Sequence, residues 1–158
     1  MGAVRVLSSM VLLSVLGCGG SSTGPNSNTG TNSCSTPLSA TVNGAAWCSP
    51  LPQVTVQHSI VSFAGFDVGI TSSIAMAFAA TVPGTYSLAF GNGTGGFATY
   101  VKGGQGWTSG QSGGTGSVTV TTLTANHIVG TFVFNAVASN GGATGTIQVT
   151  NGQFNITF

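Results

Sequence analysis

From residue 38 onward, large apolar side chains recur at alternate positions, and Gly, Asn, Pro and Ser interrupt each run. That period predicts half-buried β-strands, because successive strand residues point to opposite faces. Val, Ile, Phe and Thr dominate the runs, and Gly is frequent between them. Asn43-Gly44 and Asn151-Gly152 read as type I′ turns, which need two residues that tolerate positive φ. The first joins residues 38–42 to 45–48. The second joins 144–150 to 153–158, with Val149 opposite Phe154 and Ile147 opposite Ile156, so that the apolar side chains share a face. A third hairpin joins 117–124 to 128–138 through a three-residue loop, Ala125-Asn126-His127, pairing Val118 with Phe134 and Val120 with Phe132. Further strands are expected at 54–66, 68–80, 85–90 and 97–101, with a turn at Val82-Pro83-Gly84. Residues 103–116, rich in Gly and Ser, read as a mobile loop around Trp107. Short strands joined by Gly-rich turns predict an all-β domain over residues 34–158, an antiparallel β-sandwich of eight or nine strands.

The start of the chain differs. Arg5 precedes the apolar run Val11-Leu12-Leu13-Ser14-Val15-Leu16, and Gly17-Cys18 follows. Residues 1–17 read as a signal peptide, too short to span a bilayer, which takes about 20 residues. Val15-Leu16-Gly17-Cys18 resembles the lipobox of bacterial lipoproteins. The resemblance implies that Cys18 becomes an acylated N-terminus, and Gly19 implies an outer-membrane destination. Two or more acyl chains hold a protein stably to a membrane. Residues 19–33 hold only small, polar or Pro side chains apart from the backbone, and read as a flexible linker reaching on the order of 20 Å.

Composition narrows the function. Charged residues make up 2% of the 158-residue chain, against about 25% in an ordinary domain. Arg5, Lys102 and Asp67 are the whole inventory. Nucleic-acid binding is excluded as an expectation, since it needs Lys and Arg to displace counterions. A hydrolase built on two carboxylates lacks its second acid. With Cys18 assigned to lipid, Cys34 and Cys48 remain as an even pair, expected to form a disulfide in an oxidising compartment. Closing a loop of that length stabilises by roughly 3 kcal/mol in the chain-entropy account.

Titratable side chains of the body are few: His58, His127, Asp67, Lys102, Tyr86 and Tyr100. No Gly-x-Ser-x-Gly elbow precedes a helix, since no helix is expected to receive one, and two His with one Asp do not supply a convergent metal-ligand set. No catalytic residue, metal or cofactor is expected; Asp67 reads as a turn residue accepting backbone N–H groups, and His58 as a strand residue. One alternative is a small secreted hydrolase, which would bring His58 or His127 to Asp67 and a Ser. Another is a small outer-membrane barrel, suggested by the alternation Phe154, Ile156, Phe158 at the end of the chain. Trp107, standing in a Gly/Ser/Gln segment, and Tyr100 are the candidate ligand contacts. A sugar could stack on such rings, so a glycan or an envelope protein is the expected partner, besides the membrane. Trp47 is expected in the core against the disulfide.

The ordered set Val42-Asn43-Gly44 with Trp47, Pro83-Gly84-Thr85-Tyr86, Gly116-Ser117-Val118-Thr119-Val120, Gly130-Thr131-Phe132-Val133-Phe134 and Thr150-Asn151-Gly152-Gln153-Phe154 resembles a family of small bacterial lipoprotein domains of unknown function. That resemblance implies a tethered β-sandwich. It implies no activity, so no functional residue carries over.

Overall fold

A computed structural model describes residues 34–89, 91 and 95–158. The expected signal peptide (1–17), the expected acylation site Cys18 and the expected linker (19–33) lie outside the described residues. Eleven strands succeed one another: β1 Leu38–Val42, β2 Ala45–Ser49, β3 Gln53–Gln57, β4 Ile60–Phe66, β5 Ser72–Ala79, β6 Gly84–Ser87, β7 Phe97–Lys102, β8 Gln105–Thr108, β9 Thr115–Leu123, β10 His127–Asn140 and β11 Thr146–Thr157. Among the described residues there is no helix, so none is long and apolar enough to cross a membrane. The strands form one antiparallel sheet in the order β2-β1-β11-β10-β8-β7-β5-β4-β3, with β6 and β9 branching from β10. It curls into a half-barrel whose inner face is the core. The all-β antiparallel fold is as the alternation predicts.

Where the strands divide, the structure corrects the sequence reading. The expected strand 54–66 breaks at His58-Ser59, a two-residue turn with both φ angles positive (48° and 68°) and Gln57 opposite Ile60. No Gly marks that turn, and His58 lies in it rather than in a strand. The expected loop 103–116 contains β8, which pairs with β7 and β10.

Asn43-Gly44 is the turn expected, closing Val42 on Ala45. Asn151-Gly152 is not a turn. It lies inside β11, where the register on β10 slips between Phe132 (opposite Gly152) and Phe134 (opposite Val149). One extra residue on β11 makes a β-bulge, with Asn151 at φ 50°. The bulge flips the side-chain parity, so Val149, Phe154 and Ile156 still all face the core.

The third hairpin exists, but its register is shifted. Leu123 pairs with Ile128, Gly130 with Val120 and Phe132 with Val118, with a slip at Thr121. Thr124 N–H closes the turn on His127 O at 2.9 Å.

Phe63 sits at the centre of the core. Its ring centroid is 5.0 Å from Phe154, 6.3 Å from Phe78 and 6.4 Å from Phe132, so β4 packs across the interior onto β10 and β11. Gly130 pairs with Phe154 and Gly152 with Phe132. A Cβ on either glycine would meet the opposing ring at about 2.5 Å; the missing side chains let both rings lie flat over the backbone. The outward positions of β9–β11 are mostly Thr, Ser, Asn and Gln. An apolar inside and a hydroxylated outside reverse the polarity of an outer-membrane barrel.

Cys34 and Cys48 form a disulfide, Cα–Cα 5.9 Å, tying the segment before β1 to β2. Trp47 is the next residue and points to the other face of β2, so it packs in the interior and not against the disulfide.

The strand registers give the half-barrel two distinct ends. At one lie the β1–β2 turn, the β4–β5 loop, the β7–β8 turn and the β10–β11 connection. At the other lie the approach to β1, the His58-Ser59 turn, the β9–β10 turn and Phe158.

Candidate functional site: the Asp67–Lys102 cleft

Asp67 ends β4, and its carboxylate organises the loop that follows. Oδ1 accepts the backbone N–H of Thr71 at 2.6 Å and of Ser72 at 3.2 Å. Oδ2 accepts the hydroxyls of Thr71 at 2.6 Å and Ser72 at 3.0 Å. The backbone adds Asp67 N to Ser72 O at 3.0 Å and Ile70 N to Asp67 O at 2.9 Å. These bonds hold Ile70 at φ 53°, a conformation a β-branched residue rarely adopts. The expectation that Asp67 caps a turn is met.

Burial pushes the Asp67 carboxyl up, and the hydrogen bonds from Thr71 and Ser72 outweigh it and hold the group below its ordinary value. It is therefore an anion at neutral pH, with its lone pairs directed into its own loop.

Ser72 carries the arrangement inward. While its hydroxyl donates to Asp67, it accepts the indole N–H of Trp47 at 3.0 Å. Trp47, Ser72 and Asp67 thus form one chain of hydrogen bonds from core to surface. On the next strand, Lys102 pairs with Ser72, and Tyr100 lies two residues inside it. Tyr100 pairs in turn with Trp107 on β8, their ring centroids 6.0 Å apart. The Trp107 indole donates to Thr144 O at 3.1 Å.

These residues line one cleft of about 370 Å³, closed on the far side by Asn43 and Ile147. The only Asp and the only Lys of the sequence both belong to it. A larger opening of about 770 Å³ is lined, among the described residues, by Gly91, Gly95, Gly96, Phe97, Thr108, Gly110 and Gln111, none of them titratable.

Trp107 and Tyr100, the ligand contacts expected from the sequence, are thus brought together at the cleft. Both are buried, so little of either ring is open to solvent. Trp107 lacks apolar neighbours in sequence and finds them in space, folded under the barrel end. Sequence reasoning did not connect Trp47, Lys102 and Asp67, which come from three different strands or their ends. The one available signal was the scarcity of charge: two lone charges in a neutral body invite the question of where they meet.

The two histidines are elsewhere. His58 stands beyond the far end of β4 from Asp67, some seven strand residues or roughly 20 Å away. His127 opens β10 at that same far end, its Nε2 2.8 Å from Asn155 Oδ1. Neither histidine lies at the Asp67 end of the half-barrel. Among the described residues no group of three His, Cys, Asp or Glu could hold a metal ion.

The family described as a domain of unknown function, DUF6252, matches residues 35–156. The chain belongs to this family. No curated protein and no solved structure matches it. The DUF6252 domain takes in β1 to β10 and nearly all of β11, and with them every residue of the cleft. Cys34 lies one residue before the matched span, and Cys48 lies within it, so the disulfide fastens the DUF6252 domain to the segment that leads into it.

Proposed function

We propose that the chain is a non-catalytic binding module of the cell envelope, tethered to the outer membrane through acyl chains on Cys18, with a glycan or an envelope protein as its ligand. The observation that carries the binding reading is the meeting of the chain's lone Lys and lone Asp in a single cleft. Trp47, Tyr100 and Trp107 are among the residues that line it. Such a cleft offers one cation, several hydroxyls and an apolar base, which suits a neutral or weakly anionic polyhydroxylated ligand. Its one carboxylate is engaged in holding its own loop through Thr71 and Ser72, and the reading is of binding without turnover.

The direction of the chain supports the tether. Residue 34 enters at the end of the half-barrel opposite the cleft. A linker running from Cys18 to that end leaves the cleft pointing away from the lipid.

Two measurements test this. Palmitate labelling of the full chain should mark the wild type and not Cys18→Ser; an unlabelled wild type defeats the anchor. A glycan array probed with the Cys18→Ser chain should give hits that Lys102→Ala loses. Hits unaffected by Lys102→Ala would move the ligand out of the cleft, and no hits would remove the glycan.

A further inference from the structure

We propose that β3 is a dimerisation edge, pairing antiparallel with β3 of a second copy of this chain about a twofold axis through Thr55. The strand ends the sheet, and among the described residues it pairs with β4 alone. The two-residue turn makes Gln57 and Ile60 a hydrogen-bonded pair, with both main-chain groups of Gln57 directed at β4. By alternation, Gln53 and Thr55 also point theirs inward, and Val54 and Val56 present N–H and C=O to open space.

Protein edges of this kind are normally blunted by Lys, Pro or a bulge. Gln53–Gln57 itself carries no Lys, Pro or bulge and its register with β4 runs unbroken; its protection is its length of five residues and Pro52 just before it.

The sequence of the strand supplies the occupant. Gln-Val-Thr-Val-Gln reads the same in both directions. Antiparallel pairing about Thr55 sets Gln53 against Gln57, Val54 against Val56 and Thr55 against Thr55 of the second copy. A twofold axis sets residue i against j and j against i for any sequence; here the palindrome makes these pairs Gln–Gln, Val–Val and Thr–Thr, matched cross-strand partners. Val54 and Val56 would exchange four main-chain hydrogen bonds across the axis. Their side chains lie on the core face, where Val54 packs against the core and Val56 is 39% exposed; Val54 of the second copy would cover it. An unrelated strand could take the same main-chain bonds, but the palindrome would then serve nothing. Five paired residues bury far less than the roughly 1,200–2,000 Å² of a stable interface, so the dimer is weak and is read by trapping.

Thr55 and its twofold mate form a non-hydrogen-bonded pair, with Cα atoms about 4.5 Å apart, inside the range a disulfide spans. The full chain carrying Thr55→Cys should cross-link to a dimer under mild oxidation, above the level of the wild type and of Thr121→Cys on β9. Gln53→Cys and Gln57→Cys should cross-link with each other when mixed and not when alone. Val56→Pro removes an outward N–H and leaves the inward bonds of Gln53, Thr55 and Gln57 intact. Added to Thr55→Cys, it should abolish the dimer with the melting transition retained. A Thr55→Cys chain that cross-links no more than Thr121→Cys overturns the proposal. So does a Gln53→Cys chain that links to itself as readily as to Gln57→Cys, since that register is not the palindromic one.

Discussion

The indole N–H of Trp47 and the hydroxyl of Ser72 meet at 3.0 Å, and the same hydroxyl passes its own proton toward Asp67 Oδ2 at 3.0 Å. A buried aromatic on β2 is thereby coupled to a surface loop on the opposite flank of the cleft. Ser72→Ala strands the Trp47 N–H inside the protein and takes one donor from Asp67. The expected cost is about 1–3 kcal/mol, the usual penalty for a buried polar group left unpaired. Urea unfolding measures it. In a double-mutant cycle with Trp47→Phe the two losses should not add, because each removes the same bond.

Asp67 gives the protein a simple acid response. The carboxyl is held below its ordinary value in the folded state, despite burial, by the Thr71 and Ser72 bonds. In the unfolded chain it titrates at that ordinary value. The stabilisation is therefore full above the unfolded pKa and is lost as pH falls through the lower, folded one. No other acidic side chain exists in the sequence, so this loss should stand out. The melting temperature should stay level near neutrality and drop in the acid range. Asp67→Asn should melt lower at pH 7 and lose most of the acid drop. An equally steep drop in Asp67→Asn would assign it to another group.

Two buried serines make an opposed pair. Ser109 is fully enclosed; its hydroxyl donates to Leu88 O and accepts Ala98 N–H at 2.8 Å. Ser49 is as buried, yet its Oγ has no hydrogen-bond partner among the described residues. It is wedged against Leu38 and the backbone of Gly65, where even an added Cβ would come within 2.6 Å of it. Ser109→Ala should cost about 1–3 kcal/mol, whereas Ser49→Ala should be neutral or stabilising, because it removes a desolvated hydroxyl that gains nothing in return. Thermal denaturation of the two variants side by side decides it, and equal losses would mean that Ser49 has a partner after all.

How much of this was legible in the sequence differs from residue to residue. Asn43-Gly44 was readable because both flanking runs fit a two-residue loop and no other strand need be known. Asn151-Gly152 carries the same two letters and the same phase change. Ile147 and Val149 fall on odd positions, Phe154 and Ile156 on even ones, and either a hairpin or a one-residue bulge restores them to one face. The choice was made by β10, whose 14 residues give β11 an unbroken partner on one flank while β1 takes the other. His58-Ser59 left only a faint mark, since it lacks the Gly that usually fills one position of such a turn, although His is among the residues enriched at positive φ. Asp67 announced its turn through local chemistry. The cleft around it did not: Tyr100, Lys102 and Trp107 share one local hairpin, but that hairpin and Trp47 reach Asp67 only in the folded sheet.

The bulge offers the sharpest check on that difference. Asn151 sits at φ 50° with Gly152 pressed beneath Phe132. A β-branched residue pays about 1–2 kcal/mol in the left-handed region, so Asn151→Val should destabilise by that order, and Asn151→Gly, which keeps the conformation, by less. Gly152→Ala should cost about 1–3 kcal/mol for a different reason, overpacking: its Cβ would lie 2.5 Å from the Phe132 ring. Phe132→Leu should relieve part of that second penalty and none of the first, since the strain at Asn151 is in the backbone. Urea midpoints of the four variants and of the Gly152→Ala, Phe132→Leu pair separate the two causes. If Asn151→Val were as stable as wild type, residue 151 would not occupy the left-handed region, and the continuous β11 strand would lose the kink that brings Val149 and Phe154 to the same side.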